Sequence, residues 1–187
     1  MRVLFRLLYS SGLRPGEGRR VQISDIDFTT GEILIRKSKK NKDRLIVVSD
    51  NMRKLLFSYR NRRMMLPFTD NSLFVHTNGI PLKEYEINGY MCQCWKAANP
   101  DVEPQSLPKL RPYDLRHLFV STLLQKWLDE GRDLYAMLPY LRAYMGHVHF
   151  EDTAYYIHIL SDRLSASQGI NWQHIDSIGL EGSIWKH

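Results

Sequence analysis

Cysteine is scarce in this chain of 187 residues, which holds only Cys92 and Cys94. A C-x-C pair closes poorly on itself and has no second pair with which to build a zinc site, so a disulfide framework and a metal centre are not expected. The two thiols are expected to serve packing. Long apolar runs are also lacking: no stretch approaches the ~20 residues a membrane-spanning helix needs, and arginine interrupts the N-terminus Met1-Arg2-Val3-Leu4-Phe5-Arg6 where a signal peptide would be apolar. These absences predict a cytoplasmic protein with no membrane partner. Internal repeats and low-complexity tracts are missing too, and 43% hydrophobic against 25% charged residues is too apolar for disorder.

What the chain has in excess is positive charge, and it is unevenly placed. Lys plus Arg number 26 against 20 Asp plus Glu. Residues 1 to 64 hold 16 basic against 6 acidic side chains, whereas residues 65 to 187 hold 10 against 14. Segregation on this scale points to a polyanionic partner, nucleic acid above all.

Periodicity supplies the elements. Leu4, Leu7 and Leu8 recur at helical spacing up to Gly12, a natural C-terminal cap, and Pro15 is suited to start a second helical piece, so two short helices meet around Arg14. The runs Asp25-Ile26-Asp27-Phe28, Ile33-Leu34-Ile35 and Leu45-Ile46-Val47-Val48 read as strands of a small antiparallel sheet, with a lysine-rich tip between the last two. Asp50 is expected to cap a helix carrying Met52, Leu55, Leu56 and Tyr59. Helical periodicity returns over residues 83 to 98, followed by a long loop punctuated by Pro100, Pro104, Pro108 and Pro112. Helices are then expected over residues 114 to 129, over 133 to 145 with a break or restart at Pro139, and from 153 to 167. The fold class is α+β, mainly α-helical, with a small antiparallel β-sheet.

Candidate chemistry lies in three places. Tyr113-Asp114-Leu115-Arg116-His117 opens a helix with Tyr113 and Arg116 on one face, and the planar guanidinium near free helix N–H groups suits a phosphate. Tyr140-Leu141-Arg142-Ala143-Tyr144-Met145-Gly146-His147 is followed, nine residues after its histidine, by Tyr156 within Glu151-Asp152-Thr153-Ala154-Tyr155-Tyr156-Ile157-His158. Near the N-terminus stands Gly12-Leu13-Arg14-Pro15-Gly16-Glu17. In this order, and over nearly the whole chain from Leu8 to about Ile159, these segments resemble the tyrosine recombinase family, the phage integrases and Xer-like resolving enzymes. The matching elements are a Gly-Leu-Arg-x-x-Glu turn, a second arginine box, a Gly-His turn and a tyrosine nine residues beyond the histidine.

The resemblance implies a tyrosine recombinase catalytic domain that cleaves and rejoins double-stranded DNA through a 3′-phosphotyrosyl intermediate, without a cofactor. It makes Tyr156 the nucleophile, with Tyr155 its nearest rival, and Arg14 and Arg116 the donors that neutralise the reacting phosphate. His147 would hydrogen-bond that phosphate. A lysine at the hairpin tip would protonate the leaving 5′-oxygen; Lys39 is the best match, and Lys40 and Lys42 stay open as alternatives. Lys37, Lys40, Lys42 and Arg44 are expected to contact DNA around it. Tyr113 stands where the family commonly has histidine, and is carried as a site residue. His117, His149 and His158 receive no catalytic role.

Two further features bear on activity. Residues 17 to 21, Glu-Gly-Arg-Arg-Val, depart from the apolar continuation usual after the first arginine and are expected to loosen the seat of Arg14. Residues 1 to 160 are expected to form the catalytic domain without the core-binding domain that commonly precedes it, and residues 161 to 187 a tail that either docks on a neighbouring protomer as the protein oligomerises on DNA or packs on its own domain. Two other functions fit the same boxes: a type IB topoisomerase-like nickase and religase, and an integrase fragment that binds DNA without catalysis.

Overall fold

Side-chain capping and hydrophobic spacing account for most of the elements in the computed structural model, which describes residues 1–36, 43–67 and 70–159. Helix α1 (Arg2–Ser11) ends at Gly12, whose left-handed φ of 62° lets its N–H donate to the Leu8 carbonyl at 2.9 Å. A short α2 (Pro15–Arg19) follows. Strands β1 (Glu32–Ile35) and β2 (Arg44–Val47) pair antiparallel, with Glu32 opposite Val47 and Ile35 opposite Arg44. Then come α3 (Asp50–Met64), α4 (Glu84–Ala98), α5 (Asp114–Asp129), α6 (Leu134–Met145) and α7 (Glu151–Ile159). The chain divides into two compact units, Met1–Phe119 and Val120–His187, with the boundary inside α5.

In the first unit, Leu4, Leu7 and Leu8 of α1 are buried together with Ile33, Ile46 and Leu56. α1 packs on α2 and α3, and α2 on α4. The long loop before α5 is tied down by the Trp95 indole, whose Nε1–H donates to the Pro108 carbonyl at 3.1 Å. In the second unit, Leu134, Leu138, Leu141 and Met145 form the buried stripe of α6, against which α7 packs.

Four local expectations are corrected. The run from Asp25 to Phe28 forms no full strand, only one antiparallel bridge of Ile26 to Ile33: Ile23–Asp25 makes one 3-10 turn, because the Asp25 carboxylate turns back to accept the Gln22 N–H at 3.1 Å. Ser49 rather than Asp50 caps α3, accepting the Met52 N–H. Pro139 neither breaks nor restarts α6; it lies on the exposed side of a continuous helix, where its ring meets solvent rather than the core. Cys92 and Cys94 are exposed on α4 and do not pack.

Gly12 is required by its surroundings as well as by its conformation. A Cβ there would sit 2.3 Å from Cδ1 of Phe119, on top of the cost of positive φ. Gly12→Ala is therefore expected to destabilise the protein by about 2–4 kcal/mol in urea denaturation, from left-handed strain plus overpacking. A loss below about 0.5 kcal/mol, the level typical of neutral surface changes, would contradict this packing.

Candidate active site

The first arginine box is organised by a buried carboxylate. Pro15 fixes the start of α2 so that Glu17, three residues after Arg14, points back at it. Glu17 Oε2 accepts the Arg14 backbone N–H at 3.0 Å, and Oε1 accepts Arg14 Nη1 at 2.8 Å. The same carboxylate takes a fork from Arg44, Nη1 to Oε1 at 2.9 Å and Nη2 to Oε2 at 2.8 Å. Gly18, where a Cβ would lie 2.6 Å from Leu8 Cδ2, lets α2 seat closely against α1. The basic segment after Arg14 therefore does not loosen its seat: the acidic residue that opens it makes the seat. Arg44, with 11% of its side chain exposed, places both amino nitrogens on Glu17.

Burial pushes the Glu17 carboxyl up, but the hydrogen bonds and charge of Arg44, then those of Arg14, outweigh it and hold the pKa at about 2. A depressed carboxylate stabilises the fold fully above its unfolded value near 4.5 and loses that contribution as pH falls toward 2. The shift corresponds to about 3 kcal/mol. In chemical denaturation the stability gap between wild type and Glu17→Gln is expected to be widest above pH 5 and to close by about this amount on acidification toward pH 2. A gap that stays constant across that range would refute the assignment.

Arg116 is fully buried in the first turn of α5, and its Nη1 donates to the Gly12 carbonyl at 2.6 Å. The second arginine box is thereby bonded to the glycine two residues before Arg14, across 104 residues of sequence. Tyr113 is exposed at the start of this turn, with its ring edge-on to His117 at 5.2 Å between centroids. Burial lowers the pKa of His117, Asp114 opposes the shift, and Arg116 and Arg111 add to it, so the ring is neutral near pH 7. Arg14, Arg111, Pro112 and Tyr113 line one cavity of about 380 Å³, together with Gly16 and Asn88.

In the second unit Gly146, at φ 64°, ends α6 and turns the chain into His147. Arg142 braces that turn, donating Nη2 to the Val148 carbonyl at 2.6 Å. His147 Nδ1 and the hydroxyl of buried Thr153 share a hydrogen bond of 2.8 Å, and the imidazole lies parallel to the Tyr156 ring, 5° between planes and 6.2 Å between centroids. Tyr156 is 3% exposed, whereas Tyr155 is 39% exposed and meets Tyr156 edge-on.

The structure thus joins Arg14 to Arg116 through Gly12 in one unit and His147 to Tyr156 in the other. Lys37, Lys39, Lys40 and Lys42, and the tail over residues 161 to 187, lie outside the described residues. Glu17 and Thr153 were not singled out from the sequence as site residues. Their signals were a carboxylate three residues after Arg14 at a helix start, and a hydroxyl three residues before Tyr156. Among the described residues no cluster of three or more His, Cys, Asp or Glu is placed to hold a metal ion, and no helix is long and apolar enough to cross a membrane.

The fold is that of tyrosine recombinase catalytic domains: XerA recombinase superposes with a TM-score of 0.69 at 23% identity, covering 88% of this chain and 60% of that one. The XerH site-specific recombinase bound to its difH substrate superposes at 0.65 and 23% identity, covering 88% and 44%. By sequence, the protein named integrase/recombinase y4rE from Sinorhizobium fredii is 38% identical over 159 residues, 84% of this chain and 50% of that protein. Tyrosine recombinase XerD of Staphylococcus haemolyticus is 31% identical over 161 residues, 84% and 50%. The chain spans about half the length of the relatives it matches. With the phage integrase family model matching residues 1–163 as well, this chain belongs to the phage integrase family.

Proposed function

We propose that residues 1 to 160 act as the catalytic domain of a site-specific DNA recombinase. The Arg116–Gly12 bond carries this reading, because it brings two arginines from distant boxes to one turn beside a cavity that Arg14 lines. Arg14 and Arg116 neutralise the charge that develops on the nonbridging phosphate oxygens. Glu17 accepts the Arg14 backbone N–H and Nη1 and holds the guanidinium in one orientation.

His147, oriented through Nδ1 by Thr153, hydrogen-bonds the phosphate. The Tyr156 oxygen forms the bond to phosphorus as the bond to the 5′-oxygen breaks, and the leaving oxygen takes a proton from a hairpin lysine, Lys39 in the first instance. Because the phosphotyrosyl bond conserves the energy of the diester, a second DNA end reverses the step without ATP. Tyr113 lines the cavity with Arg14, where its hydroxyl can hydrogen-bond the DNA backbone but is a poor base near neutrality. Lys37, Lys40 and Lys42 supply further phosphate contacts, and the protein assembles as an oligomer on double-stranded DNA.

The test is covalent capture. The wild-type chain is incubated with a library of nicked suicide duplexes randomised over the target region, and SDS-resistant protein–DNA adducts are isolated and sequenced. Adducts linked through a 3′-phosphotyrosine are expected. DNA retention with no adduct across pH and salt would overturn the catalytic reading in favour of DNA binding alone, and relaxation of supercoiled plasmid without recombinant product would favour a nickase and religase.

A further inference from the structure

Two arginines at the start of α5 stand in different situations. Arg116 is fully buried and bonded to the Gly12 carbonyl, whereas Arg111, five residues earlier, is exposed. The Arg111 backbone is fixed: its N–H donates to Asp114 Oδ2 at 2.7 Å and its carbonyl accepts the Asp114 N–H at 2.9 Å. Its guanidinium is not, for among the described residues no hydrogen bond or ion pair takes it up, and it lines the cavity of about 380 Å³ that Arg14 and Tyr113 share. The other charges near that cavity have partners close by. Glu17 accepts from Arg14, and Glu84, the acidic residue of the lining, lies with Arg20 beside Gly16, where a Cβ would sit 3.4 Å from Arg20 Nη1 and 3.7 Å from Glu84 Oε1. The Arg111 charge is felt within its own turn: after burial, and alongside Arg116, it helps hold the His117 ring below the usual histidine pKa against the pull of Asp114.

The three arginines also differ in depth. Arg116 is buried, Arg14 keeps 21% of its side chain exposed, and Arg111 is open to solvent. A DNA strand carries one phosphate per ~3.4 Å of helix axis, so a strand whose reacting phosphate is held by the inner arginines brings the next phosphate past the outer one. An exposed guanidinium has the charge and the planar fork to bind it, and costs little desolvation in doing so.

We propose that Arg111 is a further DNA-binding residue, whose guanidinium binds the backbone phosphate next to the one that Arg14 and Arg116 hold. The proposal rests on the recombinase reading and adds to it a contact away from the reacting atoms. A flanking phosphate carries the same charge before cleavage and in the transition state, so this contact strengthens both equally. It sets affinity and leaves the rate at saturating DNA alone.

The test compares the chain with Arg111→Gln, Arg111→Lys and Lys54→Gln on duplexes captured from the randomised library. Lys54 is paired with Asp50 at 2.7 Å and lies outside the cavity lining, so its variant removes one positive charge elsewhere. Binding is read by fluorescence anisotropy across a salt series, with Tyr156→Phe added to every chain so that no adduct forms. Adduct formation at saturating DNA is timed with Tyr156 in place, and both readouts are normalised to folded protein by circular dichroism. The same duplexes are also made with a single methylphosphonate, which removes the charge of one phosphate, at each position flanking the cleavage point.

Arg111→Gln is expected to weaken binding about tenfold, the scale of one hydrogen bond to a charged group. It is expected to flatten the slope of log K against log salt by about 0.9, the release that accompanies one phosphate contact, while the saturated rate stays within about twofold of wild type. Arg111→Lys is expected to keep the slope with a smaller loss of affinity, and Lys54→Gln to keep both. One flanking methylphosphonate is expected to weaken binding by the chain with Arg111 and to leave Arg111→Gln unchanged, which marks the phosphate. An unchanged salt slope in Arg111→Gln, an equal change in Lys54→Gln, or full sensitivity of Arg111→Gln to every flanking methylphosphonate would overturn the proposal alone. Failure of the wild-type chain to form an adduct with any duplex would overturn the recombinase reading, and the proposal with it.

Discussion

Tyr156→Phe is expected to abolish the SDS-resistant adduct, a loss on the order of 10⁴-fold or more because no neighbouring group replaces a missing nucleophile. Tyr155→Phe is expected to leave the adduct in place. Exposure alone would choose the other tyrosine, since Tyr155 is open to solvent and Tyr156 is buried. Geometry supports Tyr156 instead: its ring lies parallel to the His147 imidazole, and His147 is held by Thr153. Phenylalanine keeps the ring and its stacking, so the substitution removes an oxygen and little else. The measurement is labelled-DNA transfer to each variant on the same captured duplex. An adduct that persists in Tyr156→Phe and disappears in Tyr155→Phe would exchange the two roles.

The parts of this site that could be read from the sequence are those that act locally. Gly12 and Gly146 announced left-handed helix ends, and both have positive φ. The spacing of Leu4, Leu7 and Leu8 announced the buried face of α1. What was not legible depends on partners distant in the chain. Arg44 reads as one more basic residue beside a lysine-rich tip, and only the fold reveals Glu17, 27 residues earlier, beneath its guanidinium. Arg116 reads as a surface donor at a helix start, yet the chain returns to bury it against the carbonyl of Gly12. The error over residues 25 to 28 has a similar origin. Alternating Asp, Ile, Asp and Phe satisfies a strand pattern, but Asp25 is bonded to the Gln22 N–H and to Arg36, and Asp27 accepts the N–H of Thr29, so pairing with β1 is cut down to one antiparallel bridge, Ile26 opposite Ile33.

Arg116→Ala is expected to lower adduct formation by about 10²–10³-fold, the scale of a lost transition-state donor. Its burial raises a competing explanation, that the variant merely unfolds, and magnitudes separate the two. Removing the side chain leaves a cavity and strips the Gly12 carbonyl of its Nη1 donor, together costing about 2–4 kcal/mol. Against a stability of about 5–15 kcal/mol for a domain of ordinary size, even the unfavourable combination leaves most molecules folded at 25 °C. Unfolding then accounts for less than about a twofold loss, and the remainder belongs to the phosphate. Urea denaturation and timed adduct formation on the same preparation test this directly. Arg116→Lys sharpens the test: it restores charge and one donor but not the planar fork, so it is expected to recover stability more fully than cleavage. A cleavage rate that tracks the folded fraction in both variants would make Arg116 a purely structural bolt between the two boxes and remove it from the reaction.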